Sequence, residues 1–200
     1  MYRRFGKRLL DFFISLVCIV LLIPFWIVAA IVIHLDSPGP VFFFQRRVGK
    51  GKTYFKILKY RTMRDDAPHD VPTHLMEKSD AYITRVGRVL RATSLDELPQ
   101  LFNVLVGQMS LVGPRPALWN QDELIAYRDQ YGANDARPGI TGWAQVNGRD
   151  ELLEEVKARL DGEYARHISL RMDVKCIFLT FAKVWRREGI VEGKRPSEDP

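Results

Sequence analysis

Apolar positions divide this chain into one long unbroken stretch and a series of short, differently patterned segments. From Phe12 to Ile33 no residue is charged, a run of 22. As one straight helix it would reach ~33 Å, enough to cross a bilayer. Basic residues flank it on both sides: Arg3, Arg4, Lys7 and Arg8 before it, Arg46, Arg47, Lys50 and Lys52 after it. Such residues mark the cytoplasmic side of a membrane segment, so a simple span would strand one flank on the wrong face. Pro24 stands near the middle, where its ring and missing N–H kink or break a helix. The pattern predicts a re-entrant hairpin that dips in, bends at Pro24 and returns, its freed backbone groups partnered. A kinked transmembrane anchor is the alternative. A cleaved leader fits poorly, because Ala29-Ala30 is followed by Ile31-Val32-Ile33.

Beyond this stretch the period changes. Val41 to Arg47 and Thr53 to Thr62 are aromatic-rich and joined by Gly49-Lys50-Gly51-Lys52, a hairpin signature. Gly51-Lys52-Thr53 imitates the end of a nucleotide-binding P-loop, but Arg46 stands where that motif needs glycine and no helix follows. Arg64 to Asp80 is polar, holds Pro68 and Pro72 and reads as a surface loop with solvated His69 and His74. Ile83, Val86, Val89 and Leu90 have helical spacing. Val112-Gly113-Pro114-Arg115-Pro116 and Arg137 to Arg149 read as stiff loops, a frame for arginines that grip phosphate in two-pronged fashion. Asp173 to Arg187 is an amphipathic helix bearing Val174, Ile177, Phe178, Phe181, Val184 and Trp185. It suits either an anionic membrane surface or the core. The expectation is an α+β chain in one membrane-associated domain. Residues 1–36 form the membrane helix, 37–190 the cytoplasmic catalytic domain and 191–200 a polar, disordered tail.

The net charge of +6 is moderate and no nucleic-acid-binding module is present, so nucleic acid is not an expected partner. Cys18 and Cys176 are isolated, which implies no disulfide framework and suits a reducing compartment. The candidate chemistry lies in Ser94-Leu95-Asp96-Glu97-Leu98-Pro99-Gln100. Proline is tolerated only in a helix's first turn, so the helix through Leu101, Val104 and Leu105 is expected to begin close to Asp96. Two carboxylates at a helix N-terminus would stay ionised, as a nucleophile or metal ligand must. The competing reading is a capping box, Ser94 as N-cap and Glu97 at N3. It leaves the Leu95 carbonyl orphaned by Pro99.

Taken in order, Lys7-Arg8-Leu9-Leu10-Asp11, Asp36-Ser37-Pro38-Gly39-Pro40, Phe55 to Met63, the Asp96-Glu97 segment, Gly113 to Pro116 and Arg137 to Gly142 are a specific combination. The chain resembles the small monotopic phosphoglycosyl transferases, the bacterial sugar transferase family, from about Tyr2 to Ile190. That resemblance implies transfer of a phospho-sugar from a UDP-sugar to polyprenyl phosphate with Mg²⁺ and release of UMP. The site would be the cytoplasmic face of the bacterial inner membrane, ahead of downstream glycosyltransferases. It implies Asp96 as nucleophile, Glu97 as a second catalytic residue that assists the incoming polyprenyl phosphate, both carboxylates as metal ligands, and Lys59, Arg91, Arg115 and Arg149 as phosphate and nucleotide contacts. It also implies a helix broken at Pro24; the family commonly has serine before that proline, where this chain has Ile23.

Two other functions are open to such a chain. A conventional metal-dependent glycosyltransferase would release UDP and usually carries Asp-x-Asp, a spacing absent here. A non-enzymatic membrane adaptor would need neither carboxylate.

Overall fold

The long apolar stretch is two helices. The computed structural model describes residues 1–68, 79–148 and 152–186, so His69, His74, Arg149, Arg187 and the polar tail lie outside the described residues. After a π-helical turn at Tyr2–Gly6, α1 (Lys7–Leu21) meets α2 (Ile23–Asp36) at Leu22, and the pair is bent by 63°. Among the described residues no single helix is long and apolar enough to cross a membrane; the bent pair meets that test only jointly. Pro24 sits in the first turn of α2, where the missing N–H costs no intrahelical bond. The Trp26 indole Nε1–H donates to the Ile19 carbonyl at 3.0 Å. This side chain thus partners one of the carbonyls left over where α1 stops.

Both helices are tied to the rest of the chain. On α2, Ala29 and Ile33 pack with Tyr60, Leu90 and Trp26, while on α1 the buried residues are Asp11 and Ser15. The Arg8 guanidinium donates to the Val104 and Leu105 carbonyls at 2.6 and 2.7 Å, capping the C-terminus of α4 (Gln100–Leu105). Asp11 accepts from the Ser110 hydroxyl at 2.8 Å and the Leu111 N–H at 3.0 Å. Lys7 pairs with Asp173 at 2.6 Å, and the Tyr2 and Tyr164 hydroxyls donate to the same carboxylate.

The expected hairpin is present. β1 (Phe42–Val48) pairs antiparallel with β2 (Tyr54–Tyr60), from Phe42↔Tyr60 to Val48↔Tyr54. It turns through Gly51 at φ 62° and Lys52 at φ 61°. Directly paired residues share a face, so Phe43 and Lys59, Gln45 and Ile57, and Arg47 and Phe55 point the same way. Helix α4 covers the outer edge of β2. Asn103 accepts from the Leu58 N–H and donates to the Lys56 carbonyl, both at 2.9 Å, as a neighbouring strand would. Helix α3 (Arg85–Ala92) is capped twice, by the Thr84 hydroxyl on the Gly87 N–H and by Asp36 on the Val86 N–H, both at 2.9 Å.

The segment from Arg137 to Arg149 is not simply a loop. It contains β4 (Gly139–Thr141), which pairs parallel with β3 (Ser110–Val112), and the short helix α6 (Trp143–Val146). The crossover carries α5 (Asp122–Tyr131), as a parallel pair requires. Its glycines serve close packing: a Cβ on Gly139 would lie 2.1 Å from the Gly113 nitrogen, and one on Gly142 2.0 Å from the Gly113 oxygen. Helices α7 (Glu154–Arg166) and α8 (Leu170–Arg186) complete an α+β fold of eight α-helices and two small sheets among the described residues. Only part of the apolar stripe of the last helix packs into the core. Cys176, Ile177 and Leu179 pack with Val112 and Tyr164, whereas Val174, Phe178 and Phe181 are exposed.

Candidate active site

Asp96 and Glu97 do not open an α-helix. They occupy a 3-10 turn, Leu95–Glu97, entered through Ser94 in the left-handed conformation (φ 55°), and α4 starts only at Gln100. Ser94 makes no side-chain cap, so the capping box does not form. The Leu98 N–H donates to the Leu95 carbonyl at 3.3 Å, which resolves the orphan that Pro99 would otherwise create. Tightening into a 3-10 turn lets the proline precede the helix without loss.

Both carboxylates are buried, at 9% exposure for Asp96 and 7% for Glu97. The Lys59 ammonium donates to Glu97 Oε1 at 2.7 Å, and Arg115 Nη2 donates to the same oxygen at 2.9 Å. The hairpin supplies the lysine and the Gly113–Pro116 turn supplies the arginine. The Arg115 side chain is 32% exposed, so it is the member of this trio that soluble anions reach first. Among the described residues no hydrogen bond engages the Asp96 carboxylate. Burial pushes its pKa up to about 6, with neighbouring Glu97 adding to the rise and Lys59, Arg91 and Arg115 opposing it. The expected helix N-terminus is absent at Asp96, and desolvation in this turn of few N–H groups holds its pKa above the ordinary carboxylate range. Burial likewise pushes Lys59 down against the pull of Glu97.

Five expected residues, Asp96, Glu97, Lys59, Arg91 and Arg115, thus meet directly or through their fields. Arg91 lies in the last turn of α3, 3.5 Å from the Thr62 hydroxyl, and acts on Asp96 through charge. Arg149 lies outside the described residues, and Pro24 serves the bend. Missed in the sequence were Arg47 and the pair Arg128–Asp161. Arg47 shares the Lys59 face of the hairpin, and burial together with Arg115 lowers its pKa to about 9. Strand alternation from Lys59 through the paired register would have found it. Arg128 Nε and Nη2 donate to Asp161 Oδ2 at 3.0 and 2.6 Å, a pairing between distant helices that no local pattern announces.

Residues 2–187 match the bacterial sugar transferase family. A protein of Caulobacter vibrioides named UDP-glucose:undecaprenyl-phosphate glucose-1-phosphate transferase is 45% identical over 183 residues, covering 87% of this chain and 67% of that one. A Xanthomonas campestris protein of the same name is 43% identical, over 90% of this chain and 38% of its own length. The uncharacterized sugar transferase EpsL of Bacillus subtilis is 42% identical, over 92% and 89% respectively. The chain thus spans little more than a third of some of these relatives and nearly all of another. The chain belongs to the bacterial sugar transferase family.

Proposed function

We propose that the protein transfers a sugar 1-phosphate from a UDP-sugar to polyprenyl phosphate, through a covalent adduct on Asp96. The observation that carries this is the contrast between two adjacent buried carboxylates. Glu97 is held by Lys59 and Arg115, while no described residue hydrogen-bonds Asp96. An unshielded carboxylate amid cations suits a nucleophile toward an anionic phosphorus. In the first step an Asp96 oxygen bonds to the sugar-bearing phosphorus, the bond to the bridging oxygen breaks, and that oxygen leaves with UMP. In the second, a phosphate oxygen of polyprenyl phosphate attacks the same phosphorus and Asp96 is released, giving polyprenyl-diphosphate-sugar. The names of the Caulobacter and Xanthomonas relatives support both substrate classes.

Mg²⁺ fits this donor set. Asp96 and Glu97 offer carboxylate oxygens, and among the described residues no group of three acidic, histidine or cysteine side chains could hold a metal. The remaining ligands would come from substrate phosphates and water, as Mg²⁺ prefers. When bound, it would supply charge neutralisation at those phosphates.

The reading includes a membrane position. The bent α1–α2 pair would enter and leave the cytoplasmic leaflet of the bacterial inner membrane. The basic residues at both ends and the 63° bend support this. Exposed Phe178 and Phe181 on α8 would rest at the same interface, and downstream glycosyltransferases would take the product. Incubating purified protein with undecaprenyl phosphate and a panel of UDP-sugars, scoring UMP, tests the reaction and identifies the sugar. Intact-mass measurement with donor alone should find the phospho-sugar on Asp96. Turnover releasing UDP, or an unmodified active protein, would overturn the reading.

A further inference from the structure

The turn that carries Arg115 holds itself together poorly. Pro114 and Pro116 fix two φ angles but donate nothing, so the turn depends on outside donors. Four consecutive carbonyls each receive one. The Gly139 N–H donates to Pro114 at 2.9 Å, Arg128 Nη2 to Arg115 at 2.9 Å, Arg47 Nη1 to Pro116 at 2.9 Å and the Val48 N–H to Ala117 at 2.9 Å. The middle two come from buried guanidinium groups on different elements, β1 and α5. Arg47 is steadied in turn by Gln45, and Arg128 by Asp161 on α7.

Stability alone does not account for these groups. Arg128 and Asp161 are 5% and 1% exposed, and among the described residues Asp161 Oδ1 and Arg47 Nε have no hydrogen-bond partner. Burying incompletely paired charge is commonly matched or bettered by apolar residues of similar volume. What the two arginines add is a fixed backbone beneath the arginine that reaches Glu97.

We propose that Arg128, held by Asp161, and Arg47 are positioning residues: they clamp the Arg115 and Pro116 carbonyls so that the Arg115 guanidinium stands where it engages Glu97 and the donor's phosphates. This rests on the reading of Arg115 as a phosphate contact. A displacement of about 1 Å in such a group costs up to about a hundredfold in rate. Arg128→Lys keeps a charge for Asp161 but lacks the planar fork that serves Asp161 and the Arg115 carbonyl together. The double variant Arg128→Met/Asp161→Leu removes the clamp with an apolar pair instead.

UMP release should be measured for both variants, alone and combined with Arg115→Ala, alongside thermal midpoints. We expect each folded variant to lose roughly 10- to 100-fold in kcat/KM for the UDP-sugar and to lose no more than about twofold further once Arg115 is alanine. If the double variant does not fold, Arg128→Lys decides. Parent-like turnover by Arg128→Lys beside an impaired Arg115→Ala overturns the clamp alone, as does an equal loss in both backgrounds. An unimpaired Arg115→Ala overturns the phosphate role of Arg115 and the clamp with it.

Discussion

Replacing Asp96 with asparagine should give a stability advantage over the wild type that grows as pH rises, while abolishing turnover. The folded-state pKa of Asp96 is pushed from the ordinary 3.8 to about 6. Between those values the folded chain carries more protons at this site than the unfolded chain, so wild-type stability falls as pH climbs through the window. Below about 4 the site contributes no penalty; above about 6 the full penalty is present. At about 1.4 kcal/mol per pH unit, ionising buried Asp96 costs roughly 3 kcal/mol. Asparagine does not titrate, and any offset from its amide is independent of pH. The wild-type minus variant difference should therefore move by roughly 3 kcal/mol between pH 4 and 8, or roughly 6–12 °C in thermal midpoint for a chain of this size. Unfolding of both proteins, followed by intrinsic fluorescence in one detergent across that range, measures it. Parallel curves, or a wild type that gains on the variant as pH rises, would refute the desolvation argument.

The same titration should govern chemistry: attack requires ionised Asp96, so donor-dependent UMP release should rise through about pH 6 and flatten above it, and a flat profile from pH 5 to 7 would contradict this. Added Mg²⁺ should raise the wild-type midpoint above pH 6 and leave Asp96→Asn nearly unchanged; equal shifts would argue against a metal at these carboxylates. Trp26→Phe keeps an aromatic ring near Tyr60 and Phe102 but removes the donor to the Ile19 carbonyl. It should cost about 1–2 kcal/mol in denaturant unfolding. Gly87→Ala would put a Cβ 2.0 Å from the Thr62 carbonyl, lift α3 with Arg91, and cost about 1–3 kcal/mol together with lower UMP release; a parent-like variant would show that α3 can shift freely.

The parts of this protein legible from its residues are those with a local signal. Aromatic-rich runs around a Gly-Lys turn announce the hairpin, and helical apolar spacing announces α3. Adjacency alone marks Asp96 and Glu97. What local pattern does not carry is long-range pairing. The three-residue strands β3 and β4 are too short for a period to register, and their glycines resemble loop residues until Gly113 and Gly139 are seen packed backbone to backbone. Arg128 and Asp161 are 33 positions apart. The raised pKa of Asp96 has a related cause: burial is set by the whole fold, whereas a helix terminus acts only on its neighbours.

The way α1 is fastened bears on how this enzyme could be handled. Arg8 closes the far end of α4, Asp11 takes the hydroxyl and amide at the start of β3, and Lys7 shares Asp173 with two tyrosines. Deleting the first 36 residues would therefore leave bare carbonyls, an unmatched acid and an uncovered Tyr60 inside the remainder, and the truncated product would be a damaged catalyst. A detergent-free version is better sought by recolouring the outward side chains of α1, Phe13, Val17 and Leu21, with polar substitutes while keeping the helix. The oily arm is part of the folded framework, and under the proposed membrane position it would be the anchor as well.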